Sequence, residues 1–234
     1  VSRMFDFSII YNEWPTYLEG LINTVWLVAV SLLAGLSIAI PVGILRNSQS
    51  AVLRYPAWAY IYFFRGTPLL VQLFIIYYGA GQWQWLQHSW AWKWFQEAWF
   101  CSLLAFALNT GAYTAEIVLG AIQMIPKGEL EAAAAFGMSR WQMLRHIILP
   151  SALRRALPAY SNEVILMLHG SSVAGVITVV DLTGAARIIN ARYYTPFEAF
   201  ITAGVLYLML SLMLVWGFRR LERHWYAHLR PRIG

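Results

Sequence analysis

The run GLINTVWLVAVSLLAGLSIAIPVGIL, residues 20–45, carries no charged side chain, and its polar residues are only Asn23, Thr24, Ser31 and Ser37. An α-helix needs about 20 mostly apolar residues to cross the hydrocarbon core of a bilayer. Four further stretches share this character. Residues 56–81 contain only Arg65, 98–124 only Glu116, 156–180 only Glu163, and 199–218 no charge at all. Backbone groups in lipid must satisfy one another, which leaves helices or closed barrels, and these runs are too long for barrel strands. The expected fold is therefore an all-α integral membrane protein, one transmembrane domain over residues 1–234 with five spanning helices.

Composition agrees. Charged residues are 12% of the 234, about half the roughly 25% of soluble domains. A hydrophobic fraction of 59% with 16% aromatics excludes disorder and exceeds what a soluble domain of this size could cover with polar surface. One cysteine, Cys101, supplies neither a disulfide framework nor a metal site, and reads as a buried small apolar residue.

The loops set the orientation. Arg46, Arg54, Lys127, Arg140, Arg145, Arg154, Arg155, Arg219, Arg220, Arg223, Arg230 and Arg232 fall on one side of the five spans. Arg3, Lys93, Arg187 and Arg192 fall on the other. The positive-inside rule places the first group in the cytoplasm, the amino terminus outside and the carboxyl terminus inside. The excess of cations needs no nucleic acid to explain it. No early apolar run is followed by a small-residue cleavage site, so the first span is expected to serve as its own insertion signal. Residues 4–19, with Phe5, Phe7, Trp14 and Tyr17, read as an amphipathic segment on the outer interface. The 82–99 loop, with Trp83, Trp85, Trp90, Trp92, Trp94 and Trp99, reads as an aromatic belt at the outer headgroups or as a docking surface for an external partner.

One cytoplasmic loop, residues 125–155, is long. Pro126 ends the third span, Glu129 to Phe136 favours helix, and Gly137 is placed to cap it. Ser139 and Gln142 form a capping box that opens a second short helix, expected to stop at Pro150. Both helices carry an apolar face at the membrane surface, which suggests a cytoplasmic partner.

The order Glu131-Ala132-Ala133, three residues, Gly137, nine residues, Ile147-Ile148-Leu149-Pro150 resembles the E-A-A-x3-G-x9-I-x-L-P loop of permease subunits of bacterial ATP-binding-cassette importers. The stretches 64–72 (FRGTPLLVQ), 108–116 (LNTGAYTAE) and 157–164 (LPAYSNEV) are similar to the polar amino acid branch, that of histidine, lysine, arginine, ornithine and opines. The resemblance covers nearly the whole chain, least clearly 1–15 and 82–97. It implies a permease in the bacterial inner membrane that pairs with a second, homologous or identical permease subunit. It also implies two ATP-binding subunits below, which bind ATP and Mg and dock on the helix of Glu131, Ala132, Ala133 and Gly137. A periplasmic amino-acid-binding protein would deliver cargo above. The chain has no G-x-x-x-x-G-K-[ST] stretch, so no cofactor is expected in it, no catalytic residue, and no ATP hydrolysis of its own.

A charge within a span is costly and needs a partner or a wet cavity. Arg65 lies about ten residues into the second span and Glu116 about ten residues before the end of the third. At 1.5 Å per residue they share a depth and form an expected structural ion pair, the alternative being contact with cargo. Glu163 has no cation at its depth and reads either as a cavity carboxylate for a cationic cargo or as a hydrogen-bonded carboxyl that ties helices. Gly66-Thr67-Pro68 should kink the second span, and broken helices at membrane depth usually line a cavity. Thr67 sits at the break and Gln72 a turn beyond. Asn109, Tyr113 and Glu116 fall on one face, as interhelical glue or as a cargo path. His169 reads as a hydrogen-bonded helix residue. Six positions separate it from Glu163, which disfavours an intramembrane enzyme using the two together. A purely structural membrane subunit would leave the exposed loop and the kinked span without a role. The function that follows is import of polar, most simply basic, amino acids. Glu163, Thr67, Gln72, Asn109 and Tyr113 are then the candidate cargo contacts, and opines or acidic or neutral amino acids the alternatives.

Overall fold

The structure, a computed structural model, describes residues 8–225, and every regular element among them is helical. Phe5 and Phe7 of the expected interfacial segment, and Arg3, Arg230 and Arg232 of the charge map, lie outside the described residues. A short α1 (Ser8–Asn12) leads into α2 (Trp14–Arg46). Then come α3 (Ala51–Gly66), α4 (Leu69–Phe74) with a wide turn through Ile75–Gly79, and two one-turn pieces, α5 (Gln84–Gln87) and α6 (Trp92–Phe95). Next follow α7 (Ala98–Gln123), α8 (Lys127–Ala135), α9 (Arg140–Met143) and α10 (Leu149–Gly170). The chain closes with α11 (Leu182–Tyr193) and α12 (Pro196–Trp225). Helices α2, α7 and α12 are each long and apolar enough to cross a membrane. Two bent pairs also pass as apolar enough, α3 with Leu69–Gly79, bent by 105°, and Arg140–Ile177 with α11, bent by 46°, and the number of candidate spans is five when each pair is counted as one.

The bundle is organised on α2 and α7, and small residues let the two backbones meet. A methyl group on Gly35 would stand 2.5 Å from Thr110 Cγ2, and one on Gly43 2.9 Å from Val118 Cγ1. Close approach of this kind drives helix association in lipid, where apolar burial alone does not. Leu27, Leu32, Leu73, Phe106, Met167 and Ile177 fill the core where α2, α4, α7 and α10 converge.

The structure corrects the expected map in four places. First, Trp14 to Glu19 belong to α2, so only α1 remains of the segment expected on the interface. Tyr17 is wholly buried and donates to the Ala199 carbonyl at 2.8 Å, so it packs inside the bundle and does not face lipid. Second, the expected 181–198 loop contains α11. Its Leu182, Ala185, Ala186 and Ile189 pack on Tyr17, Ala199 and Ala203. The buried Asp181 caps it, accepting from Gly184 N at 2.8 Å and from Tyr207 Oη at 3.2 Å. At its far end Arg192 and Tyr193 donate to Glu13 Oε1 at 2.6 and 2.8 Å. Third, the chain does not stop at Pro150. A wide turn, Leu144–Ile148, precedes it, so the missing N–H falls where the helical ladder is already interrupted and in the first turn of α10, where proline is tolerated. The helix of the fourth span therefore begins before 156, and it ends in a tight turn, Ser171–Ile177, rather than at 180. Fourth, the second span does more than kink: at 105° its two halves are separate arms.

Candidate functional site

The break in the second span has an atomic cause. In a continuous helix the Phe64 carbonyl would accept from the N–H of residue 68, which Pro68 lacks. Two side-chain amides replace it: Gln72 Nε2 donates to Phe64 O at 2.8 Å and Asn109 Nδ2 donates to it at 3.3 Å. Gln72 Nε2 also donates to Thr67 O and Thr67 Oγ1, at 3.0 and 2.7 Å. Asn109 Nδ2 donates to Gln72 Oε1 at 3.0 Å, and Thr67 Oγ1 donates to Phe63 O at 2.8 Å. A break at membrane depth is stable only when freed backbone groups are paired in this way.

Beside the break lies a cavity of about 280 Å³, lined by Thr67, Pro68, Leu69, Asn109, Tyr113, Glu163, Leu166, Met167 and Gly170. Four of the five candidate cargo contacts named from the sequence meet here. Gln72 does not line it. It is buried behind the break, where the carbonyls occupy its amide. Glu163 is 6% exposed, and Thr110 Oγ1 donates to its Oε1 at 2.9 Å. Among the described residues no cation lies within 4 Å of the Glu163 carboxylate. Thr110 is a site residue that the sequence does not single out. Its partner is 53 positions away, and the sequence holds no local signal for that bond.

Tyr113 also lines a second cavity, of about 440 Å³, with Arg46, Trp58, Ile61, Tyr62, Arg65, Gly66 and Glu116. Here Arg65 Nη1 stands 3.7 Å from Glu116 Oε2, and its guanidinium lies over the Tyr113 ring, 5.2 Å from the centroid. Both partners are about two-fifths exposed, so the pair borders open space and is not sealed in the core. His169 Nε2 is 3.0 Å from Ser211 Oγ, which makes it a helix-tying residue. Cys101 is buried with a free thiol.

On the loop, α8 ends in a Schellman closure: Met138 N–H bonds Ala133 O and Gly137 N–H bonds Ala134 O, at 3.2 and 2.9 Å. This requires Gly137 at φ +75°, in the left-handed region. The Ser139–Gln142 capping box is present in both directions and starts α9. Glu131 and Ala132 face outward, Ala133 is buried, and Phe136 and Trp141 stand exposed on the turn and on α9. Arg155 Nη2, 3.7 Å from Glu129 Oε1, ties the loop to α10.

A broken span, a cavity beside it that holds a carboxylate, and an outward-facing pair of loop helices define a membrane transport subunit. Residues 23–225 match the family described as binding-protein-dependent transport system inner membrane component, and the chain belongs to that family. It is 47% identical to the histidine/lysine/arginine/ornithine transport system permease protein HisM of Escherichia coli strain K12, over 96% of this chain and 98% of that protein. It is 42% identical to the nopaline transport system permease protein NocM of Agrobacterium fabrum, over 98% of this chain and 95% of that protein. Among solved structures it resembles that of an amino acid ABC transporter with histidines, with a TM-score of 0.84, 32% identity, and 94% and 99% of the two chains covered.

Proposed function

We propose that this chain is the permease subunit of an ATP-driven importer of basic amino acids and forms one wall of the cargo path. The observation that carries the reading is Glu163. It is a carboxylate with one oxygen held by Thr110 and, among the described residues, no cation within 4 Å, set in a cavity with Thr67, Asn109 and Tyr113. An ionised carboxylate at membrane depth is stabilised by a cation, and the ammonium or guanidinium of cargo supplies one. The similarity to HisM, named for histidine, lysine, arginine and ornithine, supports the same cargo class.

Pairing with a second permease subunit completes the path. Two ATP-binding subunits hold ATP and Mg, and dock on Glu131, Ala132 and the surface around Gly137. A periplasmic binding protein delivers cargo to the side opposite α8 and α9. The amino terminus is outside and the carboxyl terminus inside. The test is ATPase stimulation of the reconstituted complex by its binding protein loaded with arginine, lysine, a neutral or an acidic amino acid. Stimulation by the basic pair alone is expected. Equal stimulation by the acidic amino acid would overturn the cargo assignment. Similarity to the nopaline and octopine permeases makes opines the second arm of the same assay.

A further inference from the structure

We propose that Arg46 and Arg54 form a binding site for the phosphodiester of an anionic phospholipid headgroup in the cytoplasmic leaflet. Arg46 is the last residue of α2 and Arg54 lies in the first turn of α3, so the short 47–50 connection brings the two together. They line one cavity of about 340 Å³ with Tyr55 and Trp58. That size is within the roughly 300–1,000 Å³ of small-molecule sites.

Among the described residues neither arginine has a carboxylate within 4 Å, whereas Arg65, Arg155 and Arg192 each do. Arg46 Nε is buried and has no hydrogen-bond partner. With no carboxylate on either arginine, the two guanidinium groups at the cavity remain available to the paired oxygens of a phosphate. The Arg54 guanidinium lies 5.4 Å from the centroid of the Tyr55 ring, which holds the side chain at the cavity's edge. Glu116 lines the adjoining cavity with Arg46, and Arg65 already stands 3.7 Å from it.

Two features favour a lipid over soluble phosphate. The site sits at the end of two spans, where the positive-inside rule places the cytoplasmic headgroups. From it an apolar track runs along α3: Trp58 and Tyr62 are stacked, 5.1 Å between centroids, and are 44% and 68% exposed. An acyl chain has a surface to follow there, and a free anion would make no use of it.

The test uses the assembled transporter, this chain with its partner subunits, in nanodiscs of phosphatidylcholine with or without phosphatidylglycerol. Bound lipid is read by mass spectrometry after delipidating washes. Arg46→Gln with Arg54→Gln should lower retention of phosphatidylglycerol roughly thirtyfold, from the worth of two arginines at an anionic surface. Arg54→Gln alone should give an intermediate loss, and cargo-stimulated ATPase activity in pure phosphatidylcholine should match wild type in every variant. Equal retention by wild type and the double variant would overturn the site. Displacement of the lipid by inorganic phosphate would overturn the lipid assignment, and loss of a partner subunit from the variants would show the arginines to be a protein contact instead. The lipid-retention arms do not depend on which cargo the transporter carries.

Discussion

Replacing Glu163 with glutamine separates charge from shape. The glutamine oxygen can still accept from Thr110 Oγ1, which stands 2.9 Å from Glu163 Oε1, and the side chain keeps its length in the packed wall of the cavity. What is lost is the difference between a charge-assisted and a neutral hydrogen bond to cargo. Charge-assisted bonds contribute about 1.5–3 kcal/mol and neutral ones about 0.5–1.5, so the change is about 1–1.5 kcal/mol, or roughly tenfold in affinity for a cationic cargo. A neutral analogue of the same shape should lose almost nothing. The assay is uptake into proteoliposomes holding the complete complex, with arginine or lysine against the neutral analogue, and with subunit stoichiometry checked by gel. If Glu163→Gln lowers both cargoes equally, the carboxylate ties helices, and the reasoning from an unpaired charge is wrong.

Gly137→Val forces a β-branched residue to φ +75° and opens the Schellman closure, so the complex should lose coupling between ATP hydrolysis and uptake while the binding protein still docks; unchanged uptake per ATP would remove the loop from the mechanism. Gly35→Ala puts a methyl 2.5 Å from Thr110 Cγ2 and should cost about 1–3 kcal/mol, visible as a lowered thermal midpoint in detergent, and should displace the hydroxyl that holds Glu163. The Tyr193 hydroxyl, then the Arg192 guanidinium, hold the Glu13 carboxyl below its ordinary value of 4.5. With its folded value depressed, the contact stabilises fully above that pH and is lost as pH falls through the lower folded value; Glu13→Gln should abolish that acid dependence of melting, and an unchanged acid limb would refute it. A cysteine at Gln49, in the exposed α2–α3 connection, should react with impermeant reagents only from the cytoplasmic side, and labelling of intact cells would reverse the proposed topology.

Much of this architecture is readable from residue order, because a membrane span is a composition as much as a conformation. Each charge gap falls largely on a long helix or a bent helix pair, and Gly66-Thr67-Pro68 marks the break. The distances from Arg54 to Arg65 and from Glu116 to Pro126 paired two charges that the structure sets 3.7 Å apart. A charge-gap criterion is blind to α11, however, which carries Arg187 and Arg192. Its Leu182, Ala185, Ala186 and Ile189 do repeat at helical spacing behind an Asp181 cap, so the signal was present in the periodicity. Gln72 and Thr110 are different. Their roles are set by a carbonyl 8 positions back and a carboxylate 53 positions on, and no local pattern reports such distances. The 105° angle at the break is not local either: the proline dictates only that the ladder must fail there, and beyond it α4 packs Leu73 into the core.

A bend whose loose ends are tied behaves as an elbow and not as a hinge. The Phe64 carbonyl is gripped from α4 by Gln72 and from α7 by Asn109, and the two amides grip each other. Rotation of α3 therefore cannot be absorbed at Thr67 and Pro68 without breaking those bonds and leaving the amide of the buried Gln72 without partners. The two arms and α7 must turn together, as one lever. A pair of spin labels on α3 and α7 should keep its spacing through the whole ATP cycle, even as each changes its distance to the rest of the transporter.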